Sequence, residues 1–248
     1  MKAVMLAAGV GRRLHVLTQH RPKCLIEIGG RSLLYRCFDA LRQYGVTCVC
    51  LVIGYKRELI REAVAAYPFP LDVTCLVNAE FERGSIGSLW MARQALDDDA
   101  VIMDADLLFH PALIDRLLSS PFLNALLVDE TVIQQTEECM VAVRGGRVVA
   151  LSKQIPEGYD RIGEGVGMLR VACAAVPELF RSVGACVNHG LLDLEYEDAL
   201  EGFFREVQVG FEKIGGLPWI EVDFPEDVER AQTHILPLLE EANDCGGT

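Results

Sequence analysis

The chain has 248 residues, 51% of them hydrophobic and 24% charged, a balance that excludes general disorder and fits one large α/β domain or a core with a small appended lobe. A net charge of −13 argues against a nucleic-acid binder, and no apolar run approaches the roughly 18–20 residues that span a bilayer. The charge is uneven: residues 1–62 hold 11 Lys/Arg against 4 Asp/Glu, whereas residues 63–248 hold 12 against 32. A basic first quarter facing an acidic remainder suits a small polyanion gripped on one side, with metal ions held by carboxylates on the other.

In chain order, residues 2–7 (KAVMLA) form a short apolar run that suits a buried parallel strand. The start, MKAVMLAAG, runs straight into that strand without a separate charged region, so no signal peptide is expected. Leu33, Leu34, Cys37, Phe38 and Leu41 recur at helical spacing across 32–44, and Gly45 ends the pattern. Residues 48–53 read as a second buried strand and 71–77 and 100–104 as a third and fourth strand, with helices predicted at 57–66 and 86–96 between them. This alternation predicts βαβ units and a mostly parallel sheet, with ligands collected at the C-terminal strand ends.

After 125–128 the rhythm changes. A β-hairpin is predicted over 140–152 around Gly145-Gly146, then a strand at 165–171, helices near 177–182 and 197–207, a last strand at 219–223, and a helix from Pro225 to about 239. The expected organisation is a single domain over 1–242: a nucleotide-binding core (1–130), an acceptor-binding lobe (131–218) and a closing strand and helix (219–242). Nine scattered cysteines without a CxxC pair, and five histidines without ligand spacing, read as buried apolar residues of a reducing cytoplasm and not as a zinc site.

The stretch LAAGVGRRLHVLTQHRPK, residues 6–23, carries the most chemical information. Leu14 stands where a GxGxxG fingerprint needs its third glycine, no helical periodicity follows until about residue 32, and no GxxxxGK[ST] occurs anywhere. Dinucleotide-binding and P-loop readings therefore weaken. What remains is a long loop leaving the first strand, with Gly9 and Gly11 allowing close backbone approach and Arg12, Arg13 and Lys23 supplying positive charge. That set suits the three phosphates of a nucleoside triphosphate; the alternative is a basic surface loop. Downstream, residues 101–106 end in Asp104-Ala-Asp106, and the 219–223 strand ends on Asp223. If these ends converge, Asp106 and Asp223 could share one Mg²⁺; otherwise they only terminate strands or cap helices.

LAAGVGRRL followed by RPKCLIEIGG resembles the LAAGxGxR…PKxL signature of sugar-phosphate and alcohol-phosphate nucleotidyltransferases. GSIGSLWMAR, MDADLLF, SKQIP, YEDAL and GLPWIEVDFPEDVERA resemble blocks of the phosphocholine/phosphonate cytidylyltransferase branch, so the likeness runs to about residue 232. It implies a Rossmann-like three-layer α/β fold of GT-A type with a small β-rich acceptor lobe. The implied reaction is attack of an acceptor phosphate or phosphonate on the α-phosphorus of a nucleoside triphosphate, CTP favoured, with release of pyrophosphate and Mg²⁺ as cofactor.

By the same resemblance, Arg13 and Lys23 are catalytic. Leu6, Ala7, Ala8, Gly9, Gly11, Asn78, Ser85, Ser88 and Asp104 would contact the nucleotide, and Asp106 and Asp223 the metal. Lys153, Glu164, Tyr196 and Asp198 are the acceptor candidates. Tyr159, Tyr196 and Trp219 could box a choline-type ammonium, whereas Glu137, Glu138, Glu164 or Asp198 would suit an aminoalkyl phosphonate. Val141 stands where relatives carry a lysine. Phosphocholine, phosphoethanolamine, 2-aminoethylphosphonate, inositol phosphate and sugar phosphates all stay open as acceptors. A GT-A glycosyltransferase and an inactive nucleotide-binding regulator are the alternatives from other classes. A cytoplasmic protein without membrane insertion is expected, with a homodimer left open.

Overall fold

The computed structural model describes residues 1–134, 138–155 and 158–245. Strand β1 (Lys2–Ala7) alternates its side chains, Ala3, Met5 and Ala7 entering one core and Val4 another on the opposite face. The chain then crosses a long loop and a two-residue ribbon, β2 (Glu27–Ile28) with β3 (Arg31–Ser32), before helix α1 (Leu33–Gln43). Ser32 caps α1, its Oγ accepting from Tyr35 N, and Leu34, Cys37, Phe38 and Leu41 face the sheet. Gly45, at φ 78°, stops the helix in a conformation costly for any side chain.

β4 (Cys48–Ile53), α2 (Arg57–Ala66), β5 (Asp72–Val77), α3 (Ile86–Ala92) and β6 (Ala100–Asp104) complete the parallel core. β1 pairs in parallel with β4 on one side and β6 on the other, and β4 pairs with β5. The chain thus winds outward from β1 to β5 and returns to β6 across β1. Its topological switch point falls where β1 and β6 end, side by side.

Three elements here escape the apolar pattern: β7 (Leu107–Phe109), α4 (Ala112–Leu118) and, later, β12 (Gly210–Lys213). β8 (Ala125–Asp129) and the hairpin β9 (Met140–Arg144) and β10 (Arg147–Ser152) precede β11 (Asp160–Val171), which begins five residues before the predicted strand. β11 pairs antiparallel with β9 at its start, with β6 at its end, and with β8 from Glu164 to Arg170. β9 to β12 therefore extend the same sheet, which has nine strands among the described residues.

α5 (Val176–Asn188) and α6 (Tyr196–Glu206) join α3 on one face, while α1, α2 and α4 cover the other, giving three layers. β13 (Trp219–Glu221) pairs with β7, and α7 (Pro225–Arg230) continues through a π-helical turn, Ala231–Ile235, into α8 (Leu236–Cys245). α3 stops at Ala92, short of the predicted 96, and the last helix is interrupted where an unbroken one was expected. The eight cysteines whose side chains are described are free thiols, and Cys173, expected in an apolar strand, is exposed on a 3-10 turn. Among the described residues no helix is long and apolar enough to cross a membrane.

Candidate functional site

A cleft of about 1170 Å³ opens over the ends of β1 and β6 and runs between the parallel core and the strands added after residue 131. One wall is the loop after β1, which is more ordered than its lack of periodicity suggests: 3-10 turns form at Arg12–Leu17 and Lys23–Leu25. Gly11 takes φ 66°, and a Cβ there would lie 3.0 Å from Thr18 Cγ2. The buried Thr18 fastens the loop, its Oγ1 donating to Gly11 O at 2.9 Å. Leu14, the residue that breaks the dinucleotide fingerprint, is fully buried with Ile26, Leu108, Ile220 and Val222. It anchors the loop onto β7 and β13. His15, at φ 45° and ψ −109°, bears backbone strain within that turn.

The opposite wall is acidic. Asp106 follows β6, and β13 brings Glu221 opposite Leu107 of β7, while Val222 N donates to Asp106 O at 3.2 Å. Asp227 at the start of α7 accepts from the backbone N–H of Asp223 (3.0 Å) and Phe224 (2.8 Å), fixing the turn that carries Asp223. Carboxylate oxygens of Asp106, Glu221 and Asp223 consequently lie within 4.8 Å of one another. Lys23 enters this cluster, its Nζ 2.7 Å from Asp106 Oδ2 and hydrogen-bonded to Asp223 Oδ1. Burial pulls the Lys23 pKa down, but Asp106, Asp223 and Glu221 outweigh it and hold the ammonium above its ordinary range. Glu221 is pushed well up, by burial first and then by Asp106 and Asp223.

Asp106 Oδ1 is buried and has no hydrogen-bond partner among the described residues. An unsatisfied carboxylate oxygen inside a ring of three hard oxygen donors fits a divalent cation such as Mg²⁺. Glu221 completes this ring, and its signal was the two-residue strand period that puts it on the same face as Asp223.

On the nucleotide side, Leu6, Ala8, Gly9, Gly11, Arg13, Lys23, Ser85, Ser88 and Asp104 line the cleft. Two predicted contacts do not: Ala7 points into the core, and Asn78 is buried behind Ser88, its Nδ2 donating to Ser88 Oγ at 3.1 Å. Ser85 precedes α3 but does not cap it with its side chain. Its Oγ instead donates to Glu195 Oε2 at 2.5 Å and accepts from Tyr196 N at 2.8 Å. Gly84 permits that embrace, since a Cβ there would stand 1.9 Å from Leu194 O.

The predicted acceptor residues share the cleft. Lys153 and Glu164 line the cleft, and Glu164 sits across the β8–β11 ladder from Asp129, whose Oδ2 accepts from Trp219 Nε1 at 2.8 Å. Burial, with Glu138 and Asp129 adding to it, pushes Glu164 up to about 7. Tyr196 also borders the cleft, and its hydroxyl donates to Asp104 Oδ2 at 3.0 Å. Asp104 is itself held well above the ordinary carboxylate range by burial and by Asp106 and Glu197. Asp198 lines the cleft as well, and accepts from Glu195 N at 3.1 Å with one carboxylate oxygen at the N-terminus of α6. Tyr159 stands outside the cleft, stacked on Arg144 with the guanidinium 4.4 Å from its ring centre. Glu137 lies outside the described residues. Glu197, the second residue of the YEDAL block, was not singled out, yet it lines the cleft and is raised to about 8 chiefly by burial.

This site and fold have counterparts among known proteins. The "Bifunctional IPC transferase and DIPP synthase" of Aquifex aeolicus is 27% identical over 237 residues, which cover 94% of this chain and 51% of that protein. The "CMP-5'-(3-aminopropyl)phosphonate synthase" of Streptomyces rubellomurinus is 28% identical over 254 residues, covering 97% and 40%. The chain thus spans about half, or less, of the length of these two relatives. Among solved structures, the inositol-1-phosphate CTP transferase of T. maritima superposes with a TM-score of 0.77 at 20% identity, over 97% of this chain and 95% of that one. The CTP:phosphocholine cytidylyltransferase of Streptococcus pneumoniae gives 0.73 at 19%, over 93% and 97%. Both likenesses place the fold among Rossmann-like nucleotidyltransferases. Residues 3–146 match the MobA-like NTP transferase domain, and with more than half the chain covered the protein belongs to that family.

Proposed function

We propose that this protein is an Mg²⁺-dependent nucleotidyltransferase that joins CMP from CTP to a phosphorylated alcohol or a phosphonate and releases pyrophosphate. The observation that carries the reading is the meeting, in one cleft, of the Gly9–Lys23 loop with the carboxylates of Asp106, Glu221 and Asp223. CTP as the nucleotide is supported by the Streptomyces relative, whose product name contains CMP.

An oxygen of the acceptor phosphate attacks the α-phosphorus in line, a new P–O bond forms, and the bond to the bridging oxygen breaks with its electron pair leaving on pyrophosphate. The attacking oxygen is already anionic near neutral pH, so no general base is required. Alignment and charge neutralisation remain to be supplied. Arg13 neutralises the departing β/γ-phosphates and Lys23 meets the α-phosphate as charge builds. The backbone around Ala8, Gly9 and Gly11 approaches the phosphates, with Leu6 beneath them. Ser85 and Ser88 face the base and ribose, and Asp104, steadied by Tyr196, faces the ribose. When bound, Mg²⁺ would be held by Asp106, Glu221 and Asp223 and would supply charge neutralisation and orientation at the phosphate oxygens.

At the acceptor end, Asp129 accepts from Trp219 Nε1 at 2.8 Å, and Glu164, Glu138 and Lys153 line the same cleft. Carboxylates and an aromatic side chain in one cleft suit an ammonium-bearing acceptor, with Lys153 for its phosphate or phosphonate. A polyol phosphate such as inositol-1-phosphate is the second reading, because the same carboxylates can accept bonds from hydroxyl groups. A pyrophosphate-release screen crossing CTP, UTP, GTP, ATP and dTTP with phosphocholine, phosphoethanolamine, 2-aminoethylphosphonate, inositol-1-phosphate and sugar-1-phosphates decides between them. Turnover is expected with CTP and an amine-bearing acceptor; no pyrophosphate in any combination with Mg²⁺ would sink the reading.

A further inference from the structure

Lys23 occupies oxygens that a divalent cation would also need. Its Nζ lies 2.7 Å from Asp106 Oδ2 and bonds Asp223 Oδ1, so one ammonium engages two of the three carboxylates that meet within 4.8 Å. The backbone beneath it is pinned: Lys23 opens a 3-10 turn whose next residue, Cys24, is buried in the core. Movement is therefore left to its flexible four-carbon stem. Two cations cannot share the same carboxylate oxygens at contact range without strong repulsion. Lys23 also engages only one oxygen of Asp106, since Oδ1 stays without a partner.

We propose that Lys23 is an exchangeable counter-ion: its ammonium competes with the divalent cation for Asp106 and Asp223 and yields them when nucleotide phosphate oxygens take it over. Metal and nucleotide binding are then coupled through this one side chain, and the coupling is reciprocal. The inference rests on reading the cleft as a nucleoside triphosphate site. It adds a second task to Lys23, separate from contact with the reacting phosphate.

The test is Mn²⁺ binding, followed by electron paramagnetic resonance, to the wild type, Lys23→Met and Lys23→Arg. Without nucleotide, Lys23→Met should bind Mn²⁺ about tenfold or more tightly than the wild type, whereas Lys23→Arg, which keeps the charge, should stay within about threefold. With saturating CTP, the gain in Mn²⁺ affinity should be larger for the wild type than for Lys23→Met, chelation by CTP itself being common to both. Thermal unfolding guards against a folding artefact. Metal-free Lys23→Met should melt below the wild type, and Mg²⁺ should raise its midpoint more than it raises that of the wild type. Equal or weaker Mn²⁺ binding by Lys23→Met, an equal gain with CTP, or a Met variant that stays unfolded in saturating Mg²⁺ overturns the proposal. None of these readouts needs turnover. A silent pyrophosphate screen with the Mn²⁺ pattern intact would remove the functional reading and leave the competition standing.

Discussion

Replacing Glu164 with Gln should make the protein more stable at pH 8 and leave it unchanged near pH 4. Glu164 is half-buried beside Asp129 and Glu138, and its carboxyl is raised from the ordinary 4.5 to about 7. A folded-state pKa above the unfolded one means that the native state binds the proton more tightly between those two values. Stability therefore falls as pH rises from about 4.5 to about 7 and stays at the lower level beyond. At 1.36 kcal/mol per pH unit the rise corresponds to a ceiling of about 3.4 kcal/mol. Because part of the carboxyl faces solvent in the cleft, screening brings the expected figure to about 1–2 kcal/mol.

Gln is nearly isosteric with protonated Glu, so the variant removes the charge and little else. Urea denaturation at pH 4, 6 and 8 should show its advantage growing from zero to that figure. An amine-bearing acceptor should stabilise the wild type more than the variant, since it would offset the charge that burial penalises. A pH-independent difference, or a variant less stable than the wild type at pH 8, would refute the account of this end of the cleft.

Three further outcomes are expected. Asp106→Asn should lower kcat by about 10²–10⁴-fold while circular dichroism stays native, because it weakens the oxygen set that neutralises the phosphates; a near wild-type rate would show that Asp106 is not at the reacting centre. Tyr196→Phe removes the hydroxyl that donates to Asp104 Oδ2. An intramolecular hydrogen bond contributes about 0.5–1.5 kcal/mol, so the KM for CTP should rise roughly 2- to 10-fold with kcat little changed; an unaltered KM would separate Asp104 from nucleotide binding. Gly84→Ala places a Cβ 1.9 Å from Leu194 O and should destabilise the protein by about 2 kcal/mol or more in urea titration; a neutral result would mean that the Ser85–Glu195 embrace is loose.

The parallel core was legible in the amino-acid order because its central strands are largely buried on both faces and read as continuous apolar runs, as in residues 48–53. β13 was legible as the strand expected at 219–223, but its partner β7, and so the ribbon they form, was not, since three residues leave too little period to detect; the four-residue β12 escaped for a similar reason. Yet that ribbon makes the site: it brings Glu221 and Asp223 to Asp106 across more than 100 residues of chain. Tyr196 and Asp198 line the cleft as expected, and the fold adds what residue type could not tell: a hydrogen bond from Tyr196 to Asp104 and a helix cap from Asp198.

Local order and composition thus determined the alternating α/β core, the glycine-rich loop and the kind of chemistry its charges allow, because those depend on residues near one another in the chain. Which carboxylates converge, which cation lies among them, and which side of the cleft each polar group serves depend on pairings between distant segments. Only the tertiary structure decided these, because a hydrogen-bonded register between two short strands carries no periodic trace in either one.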